Sequence, residues 1–120
     1  MNTIEKIEAF KQRTKRFALD IVMLFQKLPQ TDEARVMGRQ LLRSATSVAA
    51  NYRAACRARS AAEFYSKISI VVEEADESLF WLELLLESKI MEVVKINPLL
   101  QEAEELVKIT NTIRHKRKKL

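Results

Sequence analysis

A chain of 120 residues, 48% of them hydrophobic, is the size of one domain and can bury about two thirds of its unfolded surface. One Gly and two Pro supply too few turn formers for a many-stranded sheet, so the expected class is all-α. The formal net charge of +5 is unevenly spread: residues 1–60 carry 12 Lys or Arg against 5 Asp or Glu, residues 61–113 carry 4 against 11, and residues 114–120 add five positive charges.

Such polarity serves either a polyanion or opposite-sign packing between helices or subunits. Cys56 is the only cysteine, which excludes an intrachain disulfide and fits a reducing, cytoplasmic setting. The amino terminus lacks the apolar core of a signal peptide. The longest apolar run, at Leu79, is interrupted by Glu83 and is too short for a membrane span. A soluble, unprocessed protein with no membrane partner is expected.

The first helix is expected over about residues 4–28, because Ile7, Phe10, Phe17, Ile21, Leu24, Phe25 and Leu28 share one face. Lys6, Lys11, Arg13, Lys15 and Arg16 lie off that stripe, as a solvated exterior or as an extension of a basic surface. Pro29 breaks the helix by pushing Leu28 out of the α region, and Thr31 or Asp32 caps the next one.

The second helix is expected over about residues 33–58. With Arg35 at zero and 100° per residue, Arg39, Arg43, Arg53 and Arg57 fall at about 40°, 80°, 0° and 40°, so five arginines share one narrow face. The apolar residues from Leu41 to Cys56 occupy the opposite and adjoining sides. Gly38 marks either close helix packing or a bend. Ser44, Thr46, Ser47 and Asn51 either bond to backbone and to one another at a close helix crossing, or contribute Ser47 and Asn51 to a polar site near the arginines.

Ser60-Ala61-Ala62-Glu63 has the spacing of a capping box, which starts a third helix over about residues 60–88. Here the charge reverses: Glu73, Glu74, Asp76, Glu77, Glu83 and Glu87 stand against a row of Phe64, Ile68, Val71, Ala75, Leu79, Leu82 and Leu86. A second apolar strip of Ile70, Trp81 and Leu85 lies about a quarter-turn away. The near-continuous apolar run from Leu79 to Leu86 needs cover on more than one side. That requirement suggests a subunit seam at Trp81, Leu85 and Ile70, with Glu74 and Glu77 beside it.

Residues 90–96 read as a connector, followed by Asn97 as cap and Pro98 at the first position of a fourth helix over about residues 98–117. Four helices with short connections describe an antiparallel up-down-up-down bundle. The tail, with Lys116, Arg117, Lys118 and Lys119, is either a solvated end that suits the helix dipole or an arm for phosphate.

Catalysis is poorly supplied. His115, the only histidine, lies in the tail, Glu-x-x-His is absent, and one glycine cannot build a phosphate loop. No enzyme activity and no cofactor or metal is expected.

RSATSVAANYRAACRARS followed by AEF, then EEADESLFWLELL, resembles the four-helix-bundle proteins associated with intervening sequences in bacterial 23S ribosomal RNA genes, the S23-type family. The likeness extends back to RTKRFALDIVMLFQKLP. Arg43, Ser44, Ser47 and Asn51 match the family's R-S-x-x-S-x-x-x-N, and Arg57, Ser60, Glu63 and Phe64 match R-x-x-S-x-x-E-F. Ala54-Ala55 stands where many members have Glu-Gly, as in the branch that reads NYRAACRARS. The resemblance implies a ring-like homo-oligomer, a homopentamer. It also implies kinship with the accessory variability determinant of diversity-generating retroelements, whose basic surface works with a reverse transcriptase and nucleic acid.

Two functions follow from these features. In the first, Arg35, Arg39, Arg43, Arg53 and Arg57, with the basic tail, bind RNA or DNA through phosphate. In the second, the arginines pair with the carboxylates of the third helix across subunit boundaries, in a structural or protein-interaction scaffold. Arg53 and Arg57, nearest the acidic helix in sequence, are the expected ion-pair members, which leaves Arg35, Arg39 and Arg43 for phosphate.

Overall fold

The computed structural model describes residues 1–118, which form four helices: α1 (Thr3–Gln26), α2 (Asp32–Cys56), α3 (Ala61–Glu87) and α4 (Val93–Lys118). Each of the first three starts on a side-chain cap. Asn2 Oδ1 accepts from the Glu5 amide at 2.8 Å, Thr31 Oγ1 from the Ala34 amide at 3.3 Å, and Ser60 Oγ from the Glu63 amide at 3.0 Å. Thr31, not Asp32, therefore caps α2.

The helices run antiparallel in succession. Phe10 near the start of α1 meets Tyr52 near the end of α2 edge-on, with ring centroids 4.8 Å apart, while Phe25 and Leu28 meet Gly38 at the other end. α2 packs broadly on both α1 and α3, α3 on α4, and α4 only lightly on α1. The bundle measures 46 × 26 × 19 Å. Its centre is built from Phe17 and Ile21 of α1, Leu41 and Val48 of α2, Ile68, Val71, Leu82 and Leu85 of α3, and Ile96 and Leu106 of α4.

Gly38 marks close packing: a Cβ there would stand 2.6 Å from Leu28 Cδ1 and 3.1 Å from the Phe25 ring. The short polar residues of α2 bond locally and across one crossing. Ser44 Oγ donates to the Leu41 carbonyl at 3.1 Å and accepts from Ser78 Oγ of α3 at 2.9 Å, both hydroxyls fully buried. Thr46 Oγ1 donates to the Leu42 carbonyl at 2.8 Å, and Asn51 Nδ2 to Ser47.

Two expectations are corrected here. α4 begins at Val93 rather than at Pro98, and the connector is Ser88 to Glu92. Ile96 explains the extra turn: its side chain is fully buried, so core packing holds a helical turn ahead of the proline. The ring of Pro98 removes one helical hydrogen bond, to the Val94 carbonyl. Val94 and Pro98 both lie on the exposed side, where water can take that bond.

The second correction concerns α3. Its apolar run is covered by α2 on one side and α4 on another, within the same chain. Leu85 is 0% exposed and belongs to the core, so it cannot form a subunit seam. Ile70 and Trp81 are partly exposed, and the apolar side chains open to solvent on α3 are Phe80 and Leu84.

α3 ends on Lys89 with φ of 59°, the left-handed position where helices commonly place glycine. A non-glycine residue there is strained by about 1–2 kcal/mol, partly offset because glycine is freer when unfolded. Lys89→Gly is therefore expected to raise stability by about 0.5–1 kcal/mol. Urea unfolding checks this, and an unchanged or lowered midpoint would contradict it.

Candidate nucleic-acid interface

All five arginines of the α2 stripe are exposed, but they divide by angle around the helix. Arg43, at about 80° on the helical wheel, leans toward α3. Its Nη1 donates to Glu74 Oε2 at 2.8 Å and its Nη2 bonds Glu77 Oε2. Trp81 Nε1 also donates to Glu77 Oε2, at 3.0 Å. The Trp81 indole and then the Arg43 guanidinium hold the Glu77 carboxyl below the usual carboxylate range. In return Glu77 and Glu74 raise the Arg43 pKa.

Arg35, Arg39, Arg53 and Arg57, at about 0–40°, lean toward α1 instead. Among the described residues, no carboxylate forms an ion pair with any of these four, although Arg35 Nη2 donates to Gln30 Oε1 at 3.2 Å. This reverses the expected partition. Arg43 is the ion-pair member, and Arg53 and Arg57 are open. Sequence proximity to the acidic helix misleads because Glu73 to Glu77 sit in the middle of α3, opposite the middle of α2 in an antiparallel pair. The start of α3, next to Arg57, carries Glu63, which lies 3.6 Å from Arg59. Glu74 and Glu77 thus serve an intrachain pair.

Arg53 and Arg57 line a groove of about 390 Å³ between α1 and α2, together with Lys11, Lys15, Gln12, Thr46, Ala49, Ala50 and Glu8. Lys11 Nζ lies 3.1 Å from Glu8 Oε2, so one of the four cations is partly neutralised. Ala49 and Ala50 leave the floor shallow and small. At the far end of the stripe, Arg35 and Arg39 border a second hollow beside Phe25, Leu28 and Pro29.

Lys11 and Lys15, open in the sequence between a solvated exterior and an extension of a basic surface, line the groove with Arg53 and Arg57. The hairpin register would have found them. Once Phe10 is placed opposite Tyr52, one turn further along α1 brings Lys11 and Lys15 to the flank of Arg53 and Ala49. Arg13 is half-buried and carboxylate-bound rather than part of an open basic surface. Its Nε and Nη2 donate to the two oxygens of Glu102 at 2.8 and 2.7 Å, a two-pronged link that ties α1 to α4 and raises the Arg13 pKa.

Of the tail residues, Lys116 is exposed on α4. Lys119 lies outside the described residues, as do the side chains of Arg117 and Lys118. His115 is exposed near the end of α4 and does not line the groove. Among the described residues, no group of three or more His, Cys, Asp or Glu is arranged to hold a metal ion, and no helix is long and apolar enough to cross a membrane.

The sequence model of the 23S rRNA-intervening sequence proteins matches residues 6–112, which include all of α2 and α3 and nearly all of α1. The fold is also that of a crystal structure from Bacteroides thetaiotaomicron, of a protein with unknown function from the S23 ribosomal protein family. It aligns with a TM-score of 0.80 at 35% identity, covering 87% of this chain and 96% of that one. No curated protein matches the chain. The matched span and the shared four-helix architecture agree, and the chain belongs to the family of 23S rRNA-intervening sequence proteins.

Proposed function

We propose that this protein is a non-catalytic, oligomeric nucleic-acid-binding protein that grips RNA or DNA by its phosphates through the α1–α2 face. The observation that carries this reading is the open cluster of Arg53 and Arg57 with Lys11 and Lys15 in one groove, continued along α2 by Arg39 and Arg35. Guanidinium groups without carboxylate partners are available for two-pronged phosphate contacts. Base edges are not addressed by such a surface, so binding is weakly sequence-specific. In a ring-like homo-oligomer the face recurs in every subunit, and modest single contacts add to a multivalent one. Phe80 and Leu84, with the partly exposed Trp81 and Ile70, provide apolar surface on α3 for that assembly.

The scaffold reading draws on one observation, the Arg43, Glu74, Glu77 and Trp81 cluster, which joins α2 to α3 and borders the exposed apolar side of α3. It leaves four arginines without a role. The test is a salt titration of binding to a structured RNA and to a DNA duplex. Neutralising about four phosphates gives a log–log slope near −3.6 on duplex DNA. A flat salt response, or no binding to either nucleic acid, contradicts the proposal.

A further inference from the structure

We infer that the ligand of this face is a double helix laid along the α1–α2 seam and held at two separate phosphate clusters, rather than a single strand. The inference rests on the phosphate-binding reading above. One cluster is Arg35 with Arg39; the other is Arg53 and Arg57 with Lys11 and Lys15. Between the midpoints of the two arginine pairs, Arg35 with Arg39 and Arg53 with Arg57, lie about eighteen residues of α2, roughly 27 Å at 1.5 Å per residue. Arg43, the stripe's remaining arginine, is occupied by Glu74 and Glu77. The positive surface is therefore two spots on a rigid rod.

A ligand that fills both spots must itself be long and stiff. A duplex strand advances about 3.4 Å per base pair, so about eight base pairs bridge the clusters. Duplexes stay straight over about 50 nm, and meeting two fixed points costs them little order. A single strand would have to be straightened over the same distance, losing chain freedom with each immobilised unit.

Single strands are usually compensated by stacking on aromatic side chains, worth about 1–3 kcal/mol per base. No aromatic residue lines the groove at Arg53 and Arg57. At the other cluster a single half-buried ring, Phe25, lines the hollow and packs against Gly38, its atoms 3.1 Å from where a Cβ would stand, so neither cluster offers successive rings for stacked bases. Phe80, an exposed ring, and the partly exposed Trp81 are on α3, beyond Arg43 and its carboxylates. Exposed Glu73 and Asp76 on α3 add negative charge on that flank, which keeps a polyanion on the α1 side.

The experiment measures binding of the full chain to RNA and DNA duplexes of about 6, 12 and 18 base pairs, and to single strands of matching length, at one salt concentration. The 12-mer duplex of at least one nucleic acid is expected to bind about tenfold or more tighter than the 6-mer duplex and than the 12-mer single strand, a difference of about 1.4 kcal/mol. Arg35→Ala with Arg39→Ala, checked for unchanged mass and helicity, is expected to remove the step between 6 and 12 base pairs, so that the 12-mer duplex binds no more than about threefold tighter than the 6-mer. Single strands that bind as tightly as duplexes overturn the inference and leave the phosphate-binding reading standing, as does the absence of a length step. If no nucleic acid binds, both the inference and the reading beneath it fail.

Discussion

Leu85→Ala is expected to destabilise the fold by about 2–5 kcal/mol. The side chain is 0% exposed and packs in the central cluster with Leu82 and Leu41, in a stretch of α3 enclosed by two neighbouring helices. Truncation removes about three buried carbons and leaves a void that a helix held on both sides cannot collapse to fill. Against a typical domain stability of about 5–15 kcal/mol, such a loss moves the unfolding midpoint far down in urea. Trp81, one turn earlier, is half-buried at the rim and its indole is tied to Glu77, so its replacement acts on the surface cluster rather than on the core. If Leu85→Ala changes the solution mass and leaves the monomer's stability unaltered, Leu85 belongs to a seam and its placement in the core is wrong.

The arginines are expected to separate just as sharply. Replacing Arg35, Arg39, Arg53 and Arg57 by alanine removes four open guanidinium groups and should weaken nucleic-acid binding about 100-fold at moderate salt, equivalent to about 2.7 kcal/mol. Arg43→Ala should weaken it by less than about threefold, because Glu74 and Glu77 already neutralise that side chain. Arg43→Ala instead leaves Glu77, whose carboxyl the indole and the guanidinium together hold below its ordinary range, with the Trp81 indole and no cation. That group favours the fold while ionised, above the ordinary carboxylate pKa, and its contribution fades as pH falls through the lowered value. Binding titrations with both variants, run beside mass and helicity measurements, check the contrast. Equal losses from the single and the quadruple variant would mean that ion pairing does not divide the stripe.

Local chemistry made much of the fold legible. The Thr31 and Ser60 caps, the break before Pro29 and most of the 3.6-residue apolar rows depend on neighbours within a few positions and appear where the sequence places them. Ile7, expected on the core face of α1, is instead exposed, and α1 ends at Gln26 rather than near Leu28. Pro98 failed as a boundary because Ile96, two residues earlier, is drawn into the core by contacts with other helices. Leu85 failed as a seam residue for the same reason. A wheel gives its angle on α3 but not that α2 and α4 close on both sides.

The site was legible as a stripe and not as a groove. The angles of the arginines follow from the sequence, and the difference of about 40–80° that separates Arg43 from the others already contains the outcome. Which neighbour each angle faces is fixed only by bundle handedness and register. Those also bring Lys11 and Lys15 beside Arg53 and Arg57, and Arg13 against Glu102.

Lysine footprinting tests most directly whether the α1–α2 face meets nucleic acid. The protein is treated with an acetylating reagent, alone and with saturating duplex, and each lysine is read by mass spectrometry. Lys11 and Lys15 are expected to lose most of their reactivity in the complex, while the exposed Lys95 and Lys108 on α4, a helix that does not pack on α2, keep theirs. Unchanged reactivity at Lys11 and Lys15 with protection at Lys95 or Lys108 would place the nucleic acid on the opposite side of the bundle and contradict the assignment of this face.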